Sequence, residues 1–195
     1  MGRAAKFDRS AAIEDCMNEF WLHGYEACSV KALSEKLGIT RSSFYNAFGS
    51  RQALFLETLD LYATITPDQV LNQPEQHTSV LALINAFFAD VCRFRAGDPE
   101  ARGCLVINSI SELVAVDEEL GENLSNMVHA NIARFENLLQ LAVANKELED
   151  LQIRETALAL QSLLMGVSVL SKVLTSEAEL LAIVNQTLTG LGLSK

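Results

Sequence analysis

The sequence predicts an all-α protein, and three observations support that prediction. Proline occurs only as Pro67, Pro74 and Pro99, so most of the 195 residues are free to be helical. Apolar residues recur at the three- and four-residue spacing of helices along most of the chain. The segments between them are short and carry the Gly, Pro and Asp residues that end helices. We expect about nine helices, arranged as a small three-helix head followed by a larger helical body.

The head begins with a helix that covers two shorter ones. Asp8 is a good N-cap for this first helix, Gly24 ends it, and apolar side chains including Phe20 share its inner face. A fourth helix, residues 50–65, leads out of the head, and we expect it to act as a linker and lever between the two parts. We therefore expect a head of residues 1–50 and a body of residues 51–195.

Residues 29–48 have the pattern of two short helices joined by a tight turn. Ser29 can cap the first of them, and Gly38 follows it, where a chain that leaves a helix needs positive φ. Thr40 can cap the second, residues 41–47. In a helix-turn-helix, one helix enters the DNA major groove while its partner braces it on the backbone. Glycine-turned helix pairs also occur in ordinary cores, so the apolar pattern alone leaves a plain helical hairpin open.

The second of these helices has an outer surface suited to DNA. Helical spacing turns Phe44 and Phe48 inward. The outward side chains are Arg41, Ser42, Ser43, Tyr45 and Asn46. No acid occurs between Arg41 and Glu57, so this surface can donate hydrogen bonds to phosphates and base edges without repelling a duplex.

Charge is unevenly distributed along the chain. The formal net charge is −10, which by itself argues against a nucleic-acid partner. Residues 1–56 nevertheless hold seven cations and six acids, a net of +1, which leaves −11 for the remainder. This asymmetry suits a small DNA-contacting head on an acidic body that phosphate would repel.

Residues 28–55, with the preceding segment 20–25, resemble the TetR family of one-component regulators. The positions that match the family's signature are Gly24, Ser29, Gly38, Phe44, Tyr45, Phe48, Arg51 and Leu54. Ser34 stands where the family usually has Ala, and Arg51 replaces the commoner Lys. The resemblance implies a homodimeric DNA-binding transcriptional regulator, usually a repressor, whose C-terminal domain binds a small-molecule effector.

The same resemblance assigns roles to the head. It implies that Tyr45 and Arg51 contact phosphates, that Thr40 lies near the DNA backbone, and that the base-reading candidates are Arg41, Ser42, Ser43 and Asn46. Arg41 is the strongest candidate, since Arg to guanine is the commonest specific contact and contributes about 1–3 kcal/mol. Partial burial of Tyr45 and a merely solvated role for Lys31 and Lys36 are the alternatives.

The body is expected to supply the dimer interface. Its helices are predicted at about 79–95, 99–114, 118–145, 152–174 and 176–191. The last two are the most apolar, and pairing them with a second copy in a four-helix bundle would bury them. The residues expected at that interface are Leu160, Leu163, Leu164, Val167, Leu170, Leu181, Val184 and Leu188.

The segment 103–113 is the candidate sensor region. Following Pro99, it is expected to place Cys104 in the early turns of a helix, where the dipole stabilises a thiolate. Its Gly-Cys-Leu sequence is similar to that of a TetR branch that includes electrophile and oxidant sensors. Cys92 is a candidate resolving thiol, and Asn108 and Glu112 are candidate pocket residues. Core packing is the alternative role for both cysteines.

Other functional classes find less support. The four cysteines have no metal-ligand spacing and no signal peptide precedes them, so we expect free thiols in a cytoplasmic protein with no metal or cofactor. The apolar stretch 158–170 is too short for a membrane span. A thiol-dependent enzyme using Cys104, with Arg102 as its only adjacent partner, and a helical protein-interaction adaptor remain as alternatives.

Overall fold

A computed structural model of the chain describes residues 8–72, 79–149 and 152–194, and the predicted all-α class is confirmed over these ranges. They contain no β-strand and nine α-helices, with one 3₁₀ helix, Pro67–Asn72, between the fourth and the fifth. The α-helices are α1 Arg9–His23, α2 Val30–Lys36, α3 Arg41–Phe48, α4 Arg51–Ile65, α5 Val80–Ala96, α6 Leu105–Leu113, α7 Glu118–Ala144, α8 Ile153–Leu170 and α9 Glu177–Gly190. Pro74 lies outside the described residues.

The predicted helix starts in the head are confirmed by their N-caps. The carboxylate of Asp8 accepts hydrogen bonds from the backbone of Ser10 and Ala11. The hydroxyl groups of Ser29 and Thr40 do the same for α2 and α3. Each cap satisfies backbone N–H groups that have no partner within the helix, and so fixes where the helix begins.

The chain separates into two compact units, Met1–Ile65 and Thr66–Lys195. In the first unit α1 packs along α4, and aromatic rings fill the space between them: the Phe20 and Phe55 centroids lie 5.1 Å apart, and those of Trp21 and Tyr62 lie 4.9 Å apart. The whole of α4 therefore belongs to the packing of the first unit, whereas the sequence places a domain boundary after residue 50.

The second unit is built around α7 and α8, with α5 packed between α7 and α9. Phe87, Phe88 and Phe135 are fully buried at its centre, and their rings are in mutual contact. Helix α8 is long and apolar enough by composition to cross a membrane, but eight of its side chains are buried within this core. Core packing thus accounts for its apolar character.

The sixth helix begins later than predicted. The expected start at Pro99 is wrong, because α6 begins at Leu105. The Asp98 carboxylate accepts hydrogen bonds from the backbone and the side chain of Arg102. Ala101 and Gly103 have φ of 48° and 70°, which a right-handed helix does not allow. Residues 97–104 consequently form a loop.

Candidate nucleic-acid interface

The turn between α2 and α3 depends on a glycine backbone. Gly38 has φ of +64°, and a β-carbon placed there would meet no atom within 4 Å. The position therefore requires glycine for its backbone conformation and not for space. After the turn, the Thr40 hydroxyl accepts from the Ser43 backbone N–H at 3.1 Å and lies 2.9 Å from the Ser43 hydroxyl. These bonds hold the first turn of α3 in place.

Helix α3 has the inner and outer faces that its sequence predicts. Phe44 and Phe48 are buried, with ring centroids 5.1 Å apart. The remaining side chains at the exposed surface are Thr40, Arg41, Ser42, Ser43, Tyr45 and Asn46. The Tyr45 side chain packs edge-on against Phe44 yet stays 51% exposed, so its hydroxyl is available to a ligand. The structure thus brings six of the seven predicted DNA-contacting residues onto one continuous surface.

The cations of the head differ in their partners. Lys36 pairs with Glu19 at 2.7 Å, and Lys31 lies 3.9 Å from Glu35. Arg41 is exposed and has neither an ion pair nor a hydrogen bond within the described residues. Its guanidinium is therefore a cationic group on α3 that can bind an anion or a base without breaking an existing contact.

The side chain of Arg51, the seventh residue predicted to contact DNA, already has partners within the protein. Its guanidinium lies 3.9 Å from the centroid of the Tyr25 ring, donates to the Tyr25 carbonyl at 3.2 Å and pairs with Glu26 at 3.1 Å. These contacts connect the start of α4 to the loop between α1 and α2. A phosphate at Arg51 would have to compete with the carboxylate of Glu26.

Arg9 is a structural residue of this interface that sequence reasoning missed. Its Nε donates to the carbonyl of Ala47 at 3.1 Å, its Nη2 pairs with Glu57 at 2.6 Å, and its guanidinium lies 5.4 Å from the Phe48 ring. One side chain on α1 thereby joins the C-terminal end of α3 to α4. A cation at the C-terminal end of a helix is also favoured by the helix dipole.

The candidate sensor thiols are buried in the second unit. Cys104 is the N-cap residue of α6, not a residue of its early turns, and makes no capping hydrogen bond through its side chain. Cys92 is fully enclosed, and its burial, with a smaller effect of Glu177, raises the pKa of its thiol to about 11. At neutral pH Cys92 is protonated and so is a poor attacking thiol.

The two polar residues predicted near Cys104 are both partly buried on α6. The Asn108 amide nitrogen donates to the carbonyl of Arg102 at 2.8 Å, and its oxygen accepts from Lys172 at 3.3 Å. Asn108 therefore fastens the loop before α6 to the end of α8. Glu112 lies one turn further along the same helix.

The residues predicted at the dimer interface are mostly core residues. Leu160, Leu163, Leu164, Val167, Val184 and Leu188 are buried within the single chain, Leu181 is partly buried, and Leu170 is 37% exposed. These six side chains therefore belong to the core of the single chain, and their contribution to a dimer interface stays a prediction. The apolar side chains that α8 and its following turn do expose are Leu158, Val169, Leu170 and Val173.

Both units match known family models. The model described as "Bacterial regulatory proteins, tetR family" matches residues 13–58, and "Tetracyclin repressor-like, C-terminal domain" matches residues 80–186. An uncharacterized HTH-type transcriptional regulator of Bacillus subtilis, YezE, is 31% identical over 62% of this chain and 62% of its own length. The HTH-type transcriptional repressor ComR of Escherichia coli is 29% identical over 64% of this chain and 60% of its own length. The chain thus spans about three fifths of these curated relatives.

Solved structures match over nearly the full length. A cysteine variant of the TetR family transcriptional regulator CifR, in complex with a 26-base-pair operator DNA, is 28% identical with a TM-score of 0.87, covering 97% of this chain and 100% of its own. The reduced form of Escherichia coli NemR is 16% identical with a TM-score of 0.73 and covers 94% of both chains, which shows a common fold.

Proposed function

The chain belongs to the TetR family of bacterial regulatory proteins, and we propose that it is a transcriptional regulator that reads operator DNA through α3. The observation that supports this most strongly is the exposed surface from Thr40 to Asn46, which has an unpaired arginine and no acid. CifR, whose structure contains operator DNA, has the same fold over 97% of this chain and supports the same interpretation.

Each exposed residue of α3 has a role in this proposal. Arg41 donates two parallel hydrogen bonds to a guanine edge, and Ser42, Ser43 and Asn46 complete the base contacts. The hydroxyl of Tyr45 donates to a phosphate and sets the depth of the helix in the groove. Arg51 reaches a phosphate only if it leaves Glu26, so we rank it below Arg41 and Tyr45.

We propose that the regulator acts as a homodimer. The exposed apolar side chains Leu158, Val169 and Leu170 lie on α8, and Val173 continues this apolar surface in the turn that follows. Gly166 lies among them, and a β-carbon placed at this glycine would meet no atom within 4 Å, which leaves room for another helix. A two-fold pair would present two recognition helices to half-sites roughly 34–36 Å apart, one turn of DNA.

Release from DNA is the regulatory step of this proposal. We infer a repressor that resides in the cytoplasm, where its DNA is, and dissociates when its second unit binds a small molecule or is modified at Cys104. The relative ComR is a transcriptional repressor, which supports this sign of regulation. An effector acts by binding one of two conformations more tightly, so its effect cannot exceed that difference in affinity.

Fluorescence anisotropy tests the proposal. The protein is titrated at physiological salt against duplexes tiling the DNA upstream of its own gene and against a scrambled duplex. Specific DNA-binding proteins prefer their site by about a thousandfold or more. We expect such a preference for one duplex. Equal binding to all duplexes, with a folded and dimeric sample, would contradict the proposed function.

A further inference from the structure

A chain of polar side chains crosses between α7 and α8 inside the second unit. Arg134 Nη1 donates to Asn131 Oδ1 at 3.4 Å and to the carbonyl of Asp68 at 3.5 Å. Asn131 Nδ2 in turn donates to Gln161 Oε1 at 2.7 Å. Gln161 is 7% exposed, and Asn131 and Arg134 are partly buried. This polar chain lies among apolar core residues of both helices.

The direction of the polar chain is fixed by the arginine. A guanidinium can only donate, so Asn131 must face it with its oxygen and must face Gln161 with its nitrogen. Gln161 then accepts through its oxygen and is left with two N–H groups, for which the described residues supply no acceptor. The groups that remain without partners are therefore donors, on Gln161 and on Arg134. A partly buried set of donors without protein acceptors is complementary to an anion.

Arg134 differs from its neighbours in lacking a carboxylate partner. Arg93 pairs with Asp90, Arg102 pairs with Asp98, and Arg154 pairs with Glu136. Arg134 forms no ion pair within the described part of the chain, although residues 57–195 have a net charge of −11. The two oxygens that accept from it are neutral and lie at the outer limit of hydrogen bonding.

We propose that Arg134, Asn131 and Gln161 form the subsite for the carboxylate group of an apolar organic acid, which is the effector of this regulator. The inference rests on the proposed function and names the chemistry of its ligand. The carboxylate would take two hydrogen bonds from Arg134 and one from Gln161, and the apolar remainder would lie against the side chains of Ile132 and Leu164.

The subsite also has a path to the DNA-binding unit along the backbone. Arg134 donates to Asp68 in the 3₁₀ helix Pro67–Asn72, which follows α4 directly in the sequence. A carboxylate that draws the guanidinium of Arg134 towards itself would weaken this bond to Asp68, which is already 3.5 Å long. The subsite thereby links effector binding to the segment that leaves α4.

The test uses the full chain and a defined panel: benzoate, phenylacetate, hexanoate and decanoate, each compared with its neutral amide. Binding is measured by calorimetry and by thermal unfolding. We expect at least one carboxylate to raise Tm by about 5 °C or more at a hundredfold excess over its Kd, and its amide to have no such effect. If no carboxylate binds, or if acid and amide bind equally well, the proposal is overturned.

Three variants locate the binding. Arg134→Met is expected to weaken the carboxylate tenfold or more, and Gln161→Leu severalfold. Gln161→Leu also removes the acceptor of Asn131 Nδ2, so the Tm of the unliganded protein is expected to fall. Arg154→Met, in which an exposed and paired arginine is lost, is the matched control and should bind the carboxylate normally.

The variants also distinguish a ligand site from a structural one. A lower Tm for unliganded Gln161→Leu, with unchanged carboxylate affinity, would identify the polar chain as structural and refute the subsite. The operator affinity of the wild-type protein, measured without any acid, reports on the proposed function separately. If the protein prefers its operator but binds no carboxylate, only the subsite proposal fails. If it binds a carboxylate but has no operator preference, only the proposed function fails.

Discussion

A substitution at the partner of Arg9 tests two explanations of DNA binding that predict opposite changes in operator affinity. Glu57→Gln removes the ion pair that holds Arg9, at an N–O distance of 2.6 Å, and leaves every group on the exposed surface of α3 in place. If electrostatic attraction alone matters, loss of an acid raises the charge of the head and tightens DNA binding. If Arg9 positions α3 by its bond to Ala47, the same change weakens operator binding.

The exposure of the two side chains determines how large the effect of Glu57→Gln should be. The Arg9 and Glu57 side chains are 47% and 34% exposed, so their ion pair contributes about 0.2–1 kcal/mol to stability. The ion pair also holds Arg9 in place for its hydrogen bond to the Ala47 carbonyl. Loss of that hydrogen bond adds about 1 kcal/mol. At most, the full amount of about 1 kcal/mol is lost from operator binding, which is about fivefold in affinity for one head and about thirtyfold for a dimer changed in both.

The assay is anisotropy on the operator duplex and on a scrambled duplex, with the same samples checked by thermal unfolding. Asp60→Asn is the matched control, since it removes one exposed acid from the same helix without touching Arg9. We expect Glu57→Gln to lower operator affinity while scrambled-duplex affinity holds or rises, and Asp60→Asn to lower neither. Equal tightening of operator binding by both variants would refute the positioning role of Arg9.

Three further predictions concern folding and assembly. Gly38→Ala should lower the free energy of unfolding by about 1 kcal/mol in denaturant titration, because φ of +64° strains a side-chain-bearing residue; an unchanged value would contradict the backbone explanation. Burial raises the pKa of Glu147, but its hydrogen bonds from the backbone of Val80 and Leu81 outweigh this and hold the pKa below the ordinary value. The stabilisation by this carboxylate is therefore present at neutral pH and is lost as pH falls through the lowered pKa. Glu147→Gln should consequently lower Tm at pH 7 and make little difference at pH 3. An equal loss of Tm at both pH values would exclude the carboxylate as the origin of the stabilisation. Val169→Asp should convert the dimer to a monomer in analytical ultracentrifugation, whereas Leu22→Asp, at an exposed site on α1, should not; a dimer in both would place the interface elsewhere.

The sequence could predict the head closely because its signals are local. Asp8, Ser29 and Thr40 each lie three or fewer residues from the N–H groups that they cap, and a glycine with positive φ ends or follows the helices at Gly24 and Gly38. The predicted start of α6 at Pro99 is wrong because a local signal, proline at the first turn of a helix, is overridden there by side-chain contacts. The loop there depends on how Asp98 bonds Arg102, which no periodicity records.

The remaining differences arise from contacts between distant residues. Arg9 binds partners 38 and 48 positions away, so its role is invisible to helical spacing. Leu160 and Val167 are apolar at helical spacing whether they face the chain's own core or a second copy, and only the packing shows that they are core. The polar chain of Arg134, Asn131 and Gln161 joins helices whose register the sequence does not fix.

In the proposed function, operator recognition depends most directly on Arg41 as a reader of bases. The decisive measurement is the affinity of Arg41→Ala for operator and scrambled duplexes, with Arg93→Ala as a control that loses an equal charge in the second unit. We expect Arg41→Ala to lose about 1–3 kcal/mol per half-site on the operator and much less on scrambled DNA, so that the preference for the operator falls. An equal loss on both duplexes, or a loss no greater than that of Arg93→Ala, would contradict base readout by α3.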